Sequence, residues 1–154
     1  MKKKNISNSE SYIRMYSQMA RIRAFEDQAN KLYLSAKMPG LTHMYSGQEA
    51  VAVGICEALK TTDHITSTHR GHGHCVAKGA EFKQMFCELL GKEEGYCRGK
   101  GGSMHIADQE NGNLGANAIV GGSAGIATGA ALSAKNLNRD DVTVCFFGDG
   151  ALGQ

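Results

Sequence analysis

The chain has 154 residues, 42% hydrophobic and 21% charged, ordinary values for a globular domain long enough to bury a core. A net charge of +2 is too small to point to nucleic acid or an acidic membrane surface, and no apolar stretch is long enough to span a bilayer. Glycine is the outlier, 20 residues against a usual share of about 7%, and implies backbone packed closely against something.

The basic start Met1–Asn5 is followed by no apolar segment, so it does not read as a secretory signal. Ser7 to Glu10 has the spacing of a capping box. Tyr12, Tyr16, Met19, Ile22, Phe25, Ala29 and Leu32 then form a helical stripe. The pattern predicts an amphipathic helix over about 8–37, stopping before Pro39-Gly40. After a loop, Ser46 to Glu49 (SGQE) is a second capping box, with Glu49 as the cap's acceptor rather than a catalytic acid, and a buried helix is expected to about Leu59. Asp63 to Thr68 is a short strand candidate.

Three of the six histidines follow in His69 to His74 (HRGHGH). No cysteine or carboxylate sits at ligand spacing and Arg70 would oppose a cation, so an anion site of Arg70, His69 and loop N–H groups is favoured over a metal, with a solvated basic loop as the other reading. Glu81 to Leu90 reads as a helix with Phe82, Met85, Phe86, Leu89 and Leu90 on one side, ended by Gly91. Residues 92–122 show no sustained period, yet carry Tyr96, Met104, Ile106, Leu114, Ile119 and Val120, as a packed functional loop would. A helix starts near Ser123. Its Gly121, Gly125, Gly129 and Ser133 leave one face nearly bare, suited to a close contact with another subunit or with the sheet of its own domain.

Val142 to Phe147 is an apolar, β-branched run ending in Gly148-Asp149-Gly150, read as a parallel strand buried on both faces. Ligands in open α/β sheets sit beyond such carboxyl ends, where Asp149 between two glycines suits a hard cation such as magnesium. Gly148, Gly150 and Gly153 also spell a dinucleotide fingerprint, so an NAD-binding module is the alternative. Asp149 facing a bare pyrophosphate speaks against it. The cysteines Cys56, Cys75, Cys87, Cys97 and Cys145 include no C-x-x-C pair and read as reduced, buried thiols of a cytoplasmic protein.

Four segments together carry a family resemblance: His43–Ala50 (HMYSGQEA), Thr68–His74 (THRGHGH), Gly99–His105 (GKGGSMH) with Ala116–Gly121 (ANAIVG), and Phe147–Gly150 (FGDG). The chain resembles the N-terminal part of the α subunit of thiamine-diphosphate-dependent 2-oxo acid dehydrogenases, of the pyruvate dehydrogenase or acetoin dehydrogenase type. The likeness covers nearly the whole chain from about residue 10. It implies an α/β, thiamine-diphosphate-binding fold, a parallel sheet flanked by helices, with residues 1–154 as the N-terminal part of a single domain of a longer protein. An isolated fragment of this kind is expected to be inactive.

By the same likeness Asp149 is a magnesium ligand, and Gly150 and Ala151 offer backbone to the diphosphate. Arg70, with His69 beside it, binds a phosphate. Ala118 meets the aminopyrimidine, Val120 is the wedge that bends the cofactor, and His43 lines the substrate side, His43 and His69 being the catalytic candidates. The implied partners are a β subunit in an α2β2 heterotetramer, which supplies the activating glutamate, a lipoyl-bearing acyltransferase, and a small 2-oxo acid or acetoin.

Overall fold

A computed structural model of the protein describes residues 8–154. The expected Ser7 cap lies outside them. The element order is α1 (Asn8–Leu34), α2 (Glu49–Cys56), β1 (His64–Thr66), α3 (His72–Lys78), α4 (Phe82–Leu89), α5 (Ser123–Asn136) and β2 (Thr143–Cys145), followed by a 3-10 turn, Asp149–Gly153. The fold is mixed α/β around a small parallel sheet.

α1 buries Ile22, Phe25 and Ala29, while Tyr12, Ile13 and Tyr16 stay exposed, so only the second half of the expected stripe meets the core. The helix closes earlier than expected, because Ala36 adopts a left-handed φ of 55° and the Lys37 N–H turns back to the Leu32 carbonyl at 3.0 Å. The core gathers these residues with Tyr45, Ala52 and Val53, Cys75 and Val76, Met85 and Leu89, and Ile106. Phe25 is its aromatic centre, with ring centroids 4.5 Å from Phe86 and 5.3 Å from Phe82.

Several local expectations are corrected. α2 is not buried throughout: Ala52 and Val53 face inward, whereas Val51 and Ile55 are exposed. Its capping box differs too. Glu49 accepts from the Gly47 N–H at 3.0 Å and pairs with Arg23 at 2.7 Å, so it binds one residue nearer than the pattern implies. The His69 to His74 stretch is no solvated loop, since α3 begins inside it and buries His72 and His74. None of the five cysteines forms a disulfide, and only Cys75 is fully buried. α4 ends as expected, with Gly91 at φ 69° and the Lys92 N–H on the Cys87 carbonyl at 2.8 Å.

β1 pairs in parallel with β2 in the register His64–Thr143, Ile65–Val144 and Thr66–Cys145. On its other edge β1 takes residues 112–115, through Ile65 N–H to Gly112 O and Leu114 N–H to Ile65 O, both 2.9 Å. Asp63 joins the starts of the strands, accepting from the Val142 N–H at 2.9 Å and the Lys60 N–H at 2.7 Å. α5 covers the sheet through Ser123, Ala127 and Ala134. Its Gly125 and Gly129 face open space, so they make no contact with β1 or β2. β2 is not buried on both faces: its residues are half-buried and Phe147 beyond it is exposed. No helix among the described residues is long and apolar enough to cross a membrane.

Candidate functional site

The two parallel strands end side by side, and a cleft of about 930 Å³ opens beyond their carboxyl ends. After β1 the chain supplies Thr68, His69 and Arg70; after β2 it supplies Phe146 to Leu152. Asn117 and Ile119 to Ala124, entering α5, form a third wall, and Gln48 and Val51 border a fourth side. The Ser123 hydroxyl donates to the Ser67 carbonyl at 2.6 Å and so fastens the start of α5 to the end of β1.

His74 forms part of the floor. Its ring stacks on Phe146 at 3.8 Å, with Tyr45 Oη 3.0 Å from Nε2 and Ser67 Oγ 2.7 Å from Nδ1. Burial pushes its pKa down to about 3, so the ring is neutral at physiological pH. His69 is also held below the ordinary histidine range, by burial first and then by neighbouring His43 and Arg70. Its ring meets that of His43 edge-on, 5.0 Å between centroids. Arg70 donates from Nη1 to the Met44 carbonyl at 2.8 Å, which orients the guanidinium and leaves its other N–H groups available.

Of the residues expected from the sequence, His69, Arg70, Val120, Asp149, Gly150 and Ala151 line this one cleft. His43 lies behind His69, and Ala118 sits between wall residues without lining the cleft itself. Ala151 departs in detail: its N–H donates to the Gly148 carbonyl at 2.9 Å, leaving Asp149 and Gly150 as the residues whose N–H groups open the turn. A Cβ on Gly148 or Gly150 would meet no atom of this chain within 4 Å, so there is room at the turn for a bound group.

This donor set fits a magnesium-bound diphosphate in part. Arg70 and the turn's opening N–H groups suit phosphate oxygens. Asp149 is the one carboxylate on the cleft, and no group of three His, Cys, Asp or Glu that could hold a metal exists among the described residues. A cation here would need most of its ligands from elsewhere. Sequence reasoning missed Gln48, Val51, Thr68, Asn117 and His74 as cleft residues. It also missed Glu88, a fully buried carboxylate whose position among Met85, Phe86 and Leu89 on the apolar face of α4 was the available signal.

The profile of the family described as dehydrogenase E1 component matches residues 17–154. The chain is similar to the α subunit of acetoin:2,6-dichlorophenolindophenol oxidoreductase of Bacillus subtilis (strain 168), 52% identical over 155 aligned residues that span 100% of this chain and 46% of the relative. The same-named subunit of Cupriavidus necator is 46% identical, spanning 96% of this chain and 44% of that protein. The chloroplastic pyruvate dehydrogenase E1 component subunit alpha-3 of Arabidopsis thaliana is 43% identical, spanning 92% and 34% respectively. The chain thus spans less than half the length of these curated relatives.

Proposed function

This chain belongs to the dehydrogenase E1 component family, and from that membership we propose that it is the α-subunit part of a thiamine-diphosphate-dependent dehydrogenase. The enzyme decarboxylates a 2-oxo acid such as pyruvate, or cleaves acetoin, and passes the acyl group to a lipoyl-bearing acyltransferase. It works with a β subunit in an α2β2 assembly, in the cytoplasm, and this chain forms the N-terminal part of a single thiamine-diphosphate-binding domain. The observation that carries the reading is the convergence of Arg70, Asp149 and Gly150 on one cleft at the carboxyl ends of two parallel strands.

Thiamine diphosphate, when bound, supplies a carbon nucleophile and an electron sink for carbon–carbon cleavage. The chain's own residues bind and orient. Arg70 holds a phosphate as a charge-assisted donor, and the Gly150 N–H adds a second contact. Asp149 contributes one oxygen to magnesium. Val120 would present its apolar side chain to the cofactor from the third wall, and Ala118, which the family likeness assigns to the aminopyrimidine, would have to reach it from just behind that wall. His69, held neutral, stands with His43 on the substrate side, able to accept a hydrogen bond or a proton.

The test is calorimetric titration of the full-length protein, co-expressed with its β partner. Magnesium-dependent binding of thiamine diphosphate is expected, and Asp149→Ala abolishes it while circular dichroism stays unchanged. Magnesium-independent binding of NAD, or normal magnesium dependence in the Asp149→Ala protein, overturns the assignment.

A further inference from the structure

Four side chains from four separate stretches form one continuous row. His72 Nδ1, in the first turn of α3, lies 2.9 Å from Glu26 Oε1 on α1. His72 Nε2 lies 2.9 Å from Ser103 Oγ in the glycine-rich segment, and Ser103 Oγ lies 2.9 Å from Thr42 Oγ1. Glu26 and His72 are fully buried and Ser103 nearly so. Glu26 Oε1 and His72 Nδ1 share one hydrogen bond, and the Ser103 hydroxyl bridges His72 Nε2 and Thr42 Oγ1. The second oxygen of Glu26 is buried with no partner among the described residues, so the His72 bond alone orients this carboxylate.

Carboxylate, imidazole and hydroxyl in this order also describe a hydrolytic triad. The structure speaks against a nucleophilic Ser103. The side chain is buried away from the cleft, and the neighbouring Gly101 and Gly102 amides donate to Glu88 rather than toward a developing oxyanion.

The row ends instead at Thr42, beside His43. On the other side of His43 the Met44 carbonyl accepts from Arg70. His43 is therefore gripped at both flanks while its ring meets His69. We infer that Glu26, His72 and Ser103 are positioning residues that act through Thr42 to hold His43 against His69 at the edge of the cleft. The inference rests on the reading above that His43 faces the substrate.

The experiment uses the full-length protein with its β partner. Thr42→Val removes the last hydroxyl, Ser103→Ala cuts the row one bond earlier, and Thr42→Ser keeps the hydroxyl. The first measurement needs no turnover: hydrogen exchange of the backbone amides of residues 42–46 without cofactor. Thr42→Val and Ser103→Ala are expected to speed exchange there by up to about tenfold, the equivalent of one net hydrogen bond, and Thr42→Ser to leave it unchanged. Exchange equal to wild type in both cut variants overturns the inference.

The second measurement is a kinetic cycle with pyruvate and with acetoin. Thr42→Val is expected to raise KM about tenfold at unaltered affinity for thiamine diphosphate, and to add no further loss once His43 is alanine. Losses that simply add in the double variant overturn it as well. If the wild type neither binds thiamine diphosphate nor turns over, the proposed function fails, and the exchange measurement still decides whether the row holds this loop.

Discussion

Residues Cys97 to Gly102 have few side chains with which to pack, and Glu88 holds them. One carboxylate oxygen accepts from the Cys97 and Gly99 amides at 2.7 and 2.9 Å, the other from Gly101 and Gly102 at 2.8 and 2.9 Å. Burial pushes the Glu88 carboxyl up, but the amides of Gly102, Gly99, Cys97 and Gly101 together outweigh it and keep it below the ordinary value of 4.5. The unfolded chain therefore takes up this proton first, and the stabilisation is complete above pH 4.5 and lost as pH falls through the folded value. His74 acts at higher pH. Its folded pKa of about 3 lies below the ordinary 6.5, so the unfolded state binds that proton first and stability falls as pH drops below 6.5. Thermal melts are expected to show both limbs. Glu88→Gln should cost about 3 kcal/mol at neutral pH, with the gap to wild type closing in acid. At the cleft, Arg70→Ala is expected to weaken thiamine diphosphate by roughly tenfold to a hundredfold, read by calorimetry, with turnover at saturating cofactor less affected. Lost turnover at intact affinity would move Arg70 to the substrate side. As cleft residues, Asp149 was legible as a carboxylate between glycines after an apolar strand, and Arg70 as the cation of a histidine-rich stretch. Glu88 and His74 were not, since the partners of Glu88 are backbone amides that leave no trace in side-chain spacing, and two of those of His74, Tyr45 and Phe146, come from distant stretches.

At the scale of elements, α1 and α4 were legible through their apolar period and their stops and α5 through its recurring small residues, while α3 was hidden inside a histidine- and glycine-rich stretch that looks like loop. Gly73 explains part of that composition. A Cβ there would lie 2.0 Å from Cδ1 of the fully buried Tyr45, so α3 can seat on that ring only where it carries no side chain. Gly73→Ala is expected to destabilise by about 1–3 kcal/mol, measured by denaturant unfolding, and an unchanged midpoint would show that Tyr45 can swing aside. The α5 glycines behave oppositely. Space around Gly125 and Gly129 is empty, so Gly125→Leu or Gly129→Leu leaves the fold of this chain intact and is expected to weaken assembly with the β partner in sedimentation. Assembly at wild-type affinity in a folded variant would place the stripe outside the contact. α2 was misjudged because its run of apolar residues is the same whether one face or both are covered, and only packing against α1 and α3 decides.

Over the whole molecule the parallel pairing was foreseen, but the depth of burial was not: strand composition anticipated a β2 buried on both faces, whereas its residues are half-buried and it is β1 that lies between residues 112–115 and β2. β2 presents an unpaired outer edge among the described residues, with exposed Val142 and Phe147 at its ends. The isolated chain of 154 residues is expected to self-associate, as light scattering would show, and lysines at Val142 and Phe147 to suppress this without loss of helix content. Scattering from the wild-type chain that fits a monomer would contradict that expectation. The register has a kinetic side as well. His64 meets Thr143 across 79 positions of sequence, whereas α1 reaches α3 across a shorter span, Glu26 to His72 being 46 positions apart. Contacts of such long separation form late, after the intervening chain has been ordered. During synthesis the helical half is able to collapse around Phe25 while β2 is still unmade, and the cleft between the strand ends comes into being only with β2. Substitutions in the helical core should therefore slow folding, whereas those lining the cleft should chiefly hasten unfolding.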